Sequence, residues 1–533
     1  MAGTGGQCNG PVVGIDLGTT QARVAIMERG VIASIPDGAG ATMIPSVIAV
    51  PPCGDVIIGA EAKRQAALAP QRVAFGIKRL LGHAYDSPAV ARTRRTVACE
   101  VVSGPRGGAW VRLGAREMSP EEATAHLLGQ LKRIAESHVG GPVTRAVVSV
   151  PAGSGVGQRR ATRDAARIAG LDCCAIINEP SAALLAYVVR QRPEAALVAV
   201  IDVGGGKLDV TIAQLADGVA EVMATSGDST LGGEDLTADV IAALAQEVHR
   251  QTGTDPTNDP GTRQLLRDLA ERAARSLATA VATEVDLPSG TGAAAALCLR
   301  RQLTRAWLEV VARPLLAGVE GACHRALLDA GVAPQQIDTV LLAGAATRMA
   351  AVQATVRAVF GRPGLNLDSG EAVAAGAAAQ GAIMKGSLQT VVLFDVTSQS
   401  LWCRQEDGRT ATVVPRNATV PAQQTKVFAT TRADQESIVV ELLEGEDPTA
   451  PGAHVLGRLV LGQLPRAPAG AIQVQVAFTV DADGILNASA RDPRSGRPLS
   501  HAIMFAAGLP RAEVEELASR LGNAAAPAGP RLP

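Results

Sequence analysis

Val200-Ile201-Asp202-Val203-Gly204-Gly205-Gly206-Lys207-Leu208-Asp209-Val210 is an apolar run that reaches an acid, turns on three glycines and leaves as a second apolar run. That pattern predicts a β-hairpin whose tip carries no side chains. Backbone N–H groups at such a tip can approach a phosphate closely, because glycine adopts positive φ and places no Cβ in the way. A second stretch has the same form: Val12-Val13-Gly14-Ile15-Asp16-Leu17-Gly18-Thr19-Thr20-Gln21. Asp16 falls opposite Asp202, Gly18 opposite Gly204, and Gln21 opposite Lys207. One Gly-rich hairpin is a weak signal, since such turns are common. Two copies far apart, with the acid in register, predict two related lobes facing one nucleotide.

The rest of the chain gives that core ample room. Its 533 residues correspond to roughly three or four domains. At 47% hydrophobic residues, it can bury large cores. Aromatic residues are only 2%, which argues against a base-stacking platform, and a net charge of −1 leaves no electrostatic footprint for nucleic acid. Eight scattered cysteines form no CxxC pair, so zinc and dithiol redox chemistry are not indicated, and buried thiols in a reducing compartment are expected. The first residues lack a basic segment followed by an apolar one, so no secretory signal is read. No apolar run reaches about 18 residues, so no membrane span is expected.

Between and after the hairpins, strands alternate with helices. Ser119-Pro120-Glu121-Glu122 opens a helix to about His138, with serine as N-cap, proline at the first position and acids in the first turn. Ala146–Val150 and Ala175–Ile177 read as strands, and Gln158–Ala169 and Ser181–Arg190 as helices. Helices are expected at Leu236–Gln251, Thr262–Thr279 and Glu371–Met384, the last rich enough in alanine for close packing. Thr339–Ala343 reads as a buried strand. This is an α/β plan. Beyond Thr397 the pattern changes to period-two strands at Lys426–Ala429, Ser437–Leu442, Ile472–Val480 and Ile485–Ala490, with a hairpin turn at Asp481–Gly484. An all-β module to about Ala506 is expected, then a helix from Gly508 to about Leu521 and a disordered tail.

From about Val12 to Leu521 the chain resembles the seventy-kilodalton heat-shock chaperone family. The stretches that carry the resemblance are Gly14–Gln21, Ile77–Gly82, Ile176–Tyr187, Ile201–Val210, Gly227–Asp235, Leu341–Gln353 and Gly386–Thr397. The resemblance implies a two-lobed actin-like ATPase domain at 12–388, a linker at 389–396 and a β-sandwich peptide-binding domain at 397–506. It also implies the start of a truncated helical lid at 507–522, ahead of a disordered tail at 523–533. The implied cofactors are ATP or ADP with Mg²⁺. Gly18, Thr19, Thr20, Gly204, Gly205, Gly206 and Lys207 would face the phosphates, and Asp16 and Asp202 the hydrated metal. Lys78 matches the family's catalytic lysine, and Glu179, with Asp202, stands near the attacking water. Gly232, Gly233 and Glu234 fall on the ribose side, and Glu271, Arg275, Gly344 and Arg348 on the adenine side. Pro151, Arg159, Leu393 and Asp395 match residues that couple the domains. Cys403, Phe428, Ile438 and Val440 match the peptide pocket. The implied partners are unfolded client peptides, a J-domain co-chaperone and a nucleotide exchange factor, in the cytoplasm, with neither nucleic acid nor membrane. Read singly, Lys78 is a surface lysine, Glu179 a strand end, Arg159 a salt-bridge residue and the linker an edge strand. Their joint occurrence carries the assignment.

The chain also departs from the pattern. Lys207 stands where the family has threonine, and it replaces a hydroxyl by three donors and a charge. Ala345 and Ala346 replace a glycine and a serine, Ala274 replaces a lysine, and Gly370 replaces an aspartate. A loop Gly153-Ser154-Gly155-Val156 stands for Tyr-Phe-Asn-Asp. In the β module, Cys403 replaces an aliphatic residue, and Glu406 replaces the methionine that arches over the peptide, which would favour basic peptides or weaken enclosure. The expectation is an ATP-dependent chaperone that holds extended apolar segments, with ATP bound and hydrolysis slowed. The alternative is a nucleotide-binding regulator or holdase with little turnover. An actin-like filament protein would have no use for the linker and β module.

Overall fold

A computed structural model describes residues 10–97, 99–287, 299–367, 370–389, 391–449, 454–493 and 495–524. Cys8, Cys298, Thr390 of the expected linker and residues 525–533 of the expected tail lie outside the described residues.

The two quoted stretches are the central strands of two sheets with one topology. In the first lobe, β1 (Val12–Leu17) turns into β2 (Gln21–Glu28), with Asp16 opposite Arg23, and β2 turns into β3 (Val31–Ser34). On its other side β1 pairs in parallel with β4 (Arg145–Val150), which pairs in parallel with β5 (Asp172–Asn178). The second lobe repeats this. β6 (Ala195–Val203) crosses the glycine turn into β7 (Leu208–Ala216), placing Asp202 opposite Asp209, and β7 turns into β8 (Val219–Asp228). β6 then pairs in parallel with β9 (Thr339–Ala343), and β9 with β10 (Leu365–Asn366). Both sheets therefore run third, second, first, fourth, fifth. β1 is buried along nearly its whole length and β6 from Val198 to Val203, as the continuous apolar runs require.

Helices cover both sheets. α1 (Pro120–Val139) starts where its cap predicts, with Ser119 Oγ accepting the Glu122 N–H, and stops at Gly140 at φ 71°. α2 (Val156–Ile168) leads into β5. α3 (Glu179–Gln191) begins two residues before the expected Ser181. Pro180 does not end the preceding strand, because the first helical turn needs no N–H from it. In the second lobe, α4 (Gly233–Thr252) and α5 (Pro260–Leu277) close the outer face. The alanine-rich α6 (Glu371–Met384) lies between the lobes. A Cβ on Gly14 would fall 2.0 Å from the Ala378 nitrogen, and one on Gly376 would fall 1.8 Å from the Ala182 carbonyl. Small residues therefore let α6 touch β1 and α3 backbone to backbone.

The apolar linker is a strand of the second lobe. β11 (Val392–Val396) extends that sheet, pairing in parallel with β8, with Val219 opposite Val392. Its far end pairs with Thr419–Val420 of the β module. That module stacks a five-stranded sheet on a three-stranded one. All four expected strands are present. Strands at Leu401–Gln405, Thr410–Val414, His454–Leu461 and His501–Phe505 complete the five-stranded sheet. Phe428 and Phe478 meet edge to face at 6.3 Å in its core. Leu509, ahead of the last helix α7 (Arg511–Ala524), is seated with Val514 and Leu517 of that helix against Ala125 and Ile168 of the first lobe. Ion pairs Arg520–Glu122 and Arg167–Glu515 flank that seat. Among the described residues, no helix is long and apolar enough to cross a membrane.

Candidate nucleotide cleft and its interface

The two glycine turns meet tip to tip. A Cβ on Gly205 would lie 2.5 Å from Thr20 Cγ2, and one on Gly206 would lie 2.7 Å from Thr19 Oγ1. Thr19 and Thr20 of the first turn thus pack directly against Gly205 and Gly206 of the second. The start of α4 holds the second turn: Gly233 and Glu234 donate to the Gly204 and Gly205 carbonyls at 3.0 and 2.6 Å. Gly232 packs so tightly there that a Cβ would come within 2.7 Å of the Lys207 nitrogen. Gly344, at φ 80°, abuts Asp202, with a virtual Cβ 2.5 Å from its Oδ1.

Charges gather around this gap. Asp16 ends β1 and accepts the Ser149 hydroxyl at 3.3 Å. Burial, then the charge of Glu179, raises it to about 7. Asp202 is pushed well above the carboxylate range by burial, then by Glu179, Asp209 and Asp16. Asp209 accepts the Gly153 N–H at 3.0 Å and is raised to about 6, by burial first. Lys78 pairs with Glu179 at 2.5 Å, both largely buried. Arg79 donates to the Gly206 carbonyl at 3.0 Å and pairs with Asp235. Its Nε is buried without a partner, 2.8 Å from where a Gly206 Cβ would sit. An orphaned donor beside a side-chain-free turn suits an anion.

Among the described residues there is no cluster of three or more metal-type ligands. Asp16 and Asp202 are two carboxylates raised by burial and near enough for the charge of Asp16 to raise Asp202. That fits a hydrated Mg²⁺ that keeps several waters and takes phosphate oxygens.

The expected ribose and adenine residues carry a network that the sequence reading missed. Glu234 pairs with Arg267, whose Nε lies 3.3 Å from Glu271. Glu271 also pairs with Lys63 of the first lobe at 2.7 Å. Arg267 is buried over the Phe75 ring and donates to the Thr96 carbonyl at 3.0 Å. Glu234 and Glu271 thus tie the rims of the cleft together. The i, i+4 spacing of Arg267 and Glu271 was the available signal. Arg275 and Arg348 are exposed.

Beneath the cleft lies the contact with the β module. Arg159 is buried and donates to the Ser154 carbonyl (2.9 Å), to Asn178 Oδ1 (2.6 Å) and to the Asp483 carbonyl (3.2 Å). Asp483 accepts the Ile176 N–H at 2.8 Å and pairs with Arg163. Glu444 accepts the Val156 N–H at the start of α2 at 3.1 Å. Its burial raises it. His454 stands 3.8 Å from Glu444 and meets His83 edge to face at 6.2 Å. On the second lobe, Arg416 pairs with Asp329 at 2.7 Å and donates to the Thr225 carbonyl at 2.8 Å. Pro151 is buried and Leu393 half-buried. Asp395 lies close enough to Arg159 to favour its charge. A small cavity of mixed lining, with Ser154, Arg159, Asp395 and Glu444 beside Val156 and Leu401, lies where the β module meets the first lobe. Glu444, Asp483, Arg416, His83 and His454 had no signal in sequence, because each finds its partner far along the chain.

Cys403, Phe428, Ile438 and Val440 all lie in one core cluster of the β module, together with Val156 of α2. In this arrangement they are packed rather than open. Glu406 forms an exposed ion pair with Arg432 at 3.3 Å.

The sequence matches the family model described as Hsp70 protein over residues 12–527.

Proposed function

The chain belongs to the Hsp70 family, a chaperone family, and from that premise we propose that it is a nucleotide-controlled chaperone for extended apolar segments of unfolded proteins. The observation that carries this reading is the meeting of the two glycine turns beside Asp16, Asp202 and the Lys78–Glu179 pair, in a body whose second sheet also holds the linker strand. ATP or ADP would bind with its phosphates at the two turns. Backbone N–H groups at Gly18–Thr20 and Gly204–Gly206 bind its phosphates. Asp16 and Asp202 would hold a hydrated Mg²⁺, which would supply positive charge against the phosphates. Lys78 stabilises charge on the terminal phosphate, and Glu179 orients both Lys78 and the attacking water. Glu234, Glu271 and Gly344 flank the nucleoside, with Arg275 and Arg348 on the rim.

Nucleotide state reaches the β module through Pro151, Arg159 and the β11 strand with Leu393 and Asp395. When the module separates from α2, Val156 leaves the core that contains Cys403, Phe428, Ile438 and Val440, and an apolar groove for peptide opens. A J-domain protein and a nucleotide exchange factor are the expected partners. A second reading, a nucleotide-binding holdase with little turnover, is favoured by Lys207, whose side chain replaces a hydroxyl where the terminal phosphate and water meet.

The test is release of a fluorescent extended apolar peptide. Peptide anisotropy should fall on adding MgATP to the wild-type chain and stay unchanged with Asp202→Asn. Peptide binding that ignores ATP in both proteins would contradict nucleotide control.

A further inference from the structure

Lys207 is buried, 5% exposed, directly after the third glycine of the second turn. Its carbonyl closes that turn by accepting the Gly204 N–H at 3.0 Å. An ammonium has three donors and no acceptor. Here its one hydrogen-bond partner among the described residues is the Ser154 hydroxyl, at a long 3.4 Å. The other buried cations of the cleft are engaged: Lys78 with Glu179, Arg79 with Asp235, Arg267 with Glu234 and Arg23 with Glu371. Lys207 alone has no carboxylate within ion-pair distance among the described residues. Asp209 and Glu179 attract it from farther away, and Lys78 and Arg79 repel it. A buried charge with donors to spare is costly unless a ligand completes it. The neighbouring Arg79 Nε is also buried and unpartnered. Lys207 and Arg79 are close enough to repel each other, and one anion reached by both would answer the charge of each.

We propose that Lys207 is a built-in counter-cation for the oligophosphate of a nucleoside di- or triphosphate, so that this cleft binds nucleotide with little dependence on a divalent metal. The inference rests on the reading of the cleft as a nucleotide site. In a cleft with threonine at this position, the metal is the main source of mobile positive charge. Here the chain supplies one fixed charge beside the turn, and charge-assisted bonds to phosphate are among the stronger polar contacts.

The experiment is titration calorimetry of ATP and of ADP into the full chain, in Mg²⁺ and in EDTA, for wild type, Lys207→Met and Lys207→Arg. Methionine keeps the buried stem and removes the charge, and arginine keeps the charge. Circular dichroism verifies that each variant is folded. Wild type and Lys207→Arg should lose less than about tenfold in affinity when Mg²⁺ is removed, and Lys207→Met about a hundredfold. Equal losses in wild type and Lys207→Met would overturn the inference while leaving the nucleotide site intact. No nucleotide binding by wild type in Mg²⁺ would overturn the site and the inference together.

Discussion

Replacing Lys207 by methionine should make the nucleotide-free protein more stable while weakening its hold on nucleotide. Burial, reinforced by the charge of Lys78, lowers the Lys207 ammonium from 10.5 to about 8. At about 1.4 kcal/mol per pH unit, holding that charge at pH 7 costs about 3 kcal/mol relative to water. Methionine has a similar stem and no charge. Part of the gain is returned, because Asp209 loses the neighbour that lowers its pKa. A net gain of about 2 kcal/mol is expected. The pH dependence fixes the sign. Between about 8 and 10.5 the unfolded chain holds the proton that the folded chain has released. Wild-type stability therefore rises through that window, and the advantage of the variant shrinks. Urea unfolding in EDTA, followed by circular dichroism at pH 7 and pH 10, measures both effects. A variant less stable than wild type at pH 7 would show that Lys207 is a structural residue, and the counter-cation argument would fall.

Three other expectations follow from the interface. In Gly155→Ala the new Cβ would lie 2.1 Å from Glu444 Oε2 and must push that carboxylate off the Val156 N–H. Losing one buried charge-assisted bond costs about 1.5–3 kcal/mol, so hydrogen exchange at the β11 amides should accelerate at least about tenfold; unchanged protection would contradict the contact. His83, held down to about 3 by burial and by Lys207 and His454 around it, stays neutral while docked, whereas a His83 freed from His454 and part of its burial takes a proton more readily. Docking should then weaken as pH falls from 6.5 but be flat above 7, and in His83→Asn exchange rates should lose that component; identical pH profiles would refute it. Glu406→Lys removes an exposed pair with Arg432. Stability should change by less than about 1 kcal/mol, while peptide preference in a fluorescence assay shifts from basic toward acidic sequences.

Much of the cleft was legible because its signals are local. An acid ending an apolar run before glycines specifies strand, turn and ligand in one stretch, and both copies do so. Lys78 and Glu179 were found by motif and stand 2.5 Å apart. What stayed hidden depends on separation in sequence. Nothing around Lys207 tells that its ammonium ends at Ser154, and nothing around Val156 names Glu444, 288 residues away. The strand His454–Leu461 was missed because Gly457 and a register shift opposite Leu442 break its alternation. The start of α3 was misplaced because proline reads as a break unless the first helical turn is already placed. The last helix was readable as a helix, but its seat on α1 and α2 is made of contacts from the other end of the chain.

The central claim is that two facing turns form a working nucleotide site whose chemistry Lys207 restrains. Single-turnover hydrolysis of bound ATP by the purified chain, beside Lys207→Thr, tests it most directly. The account predicts that wild type binds ATP and hydrolyses it slowly, and that threonine raises the rate. A wild-type rate that the variant fails to raise would contradict the restraint, and Lys207 would then be an accommodated replacement in an ordinary ATPase cleft.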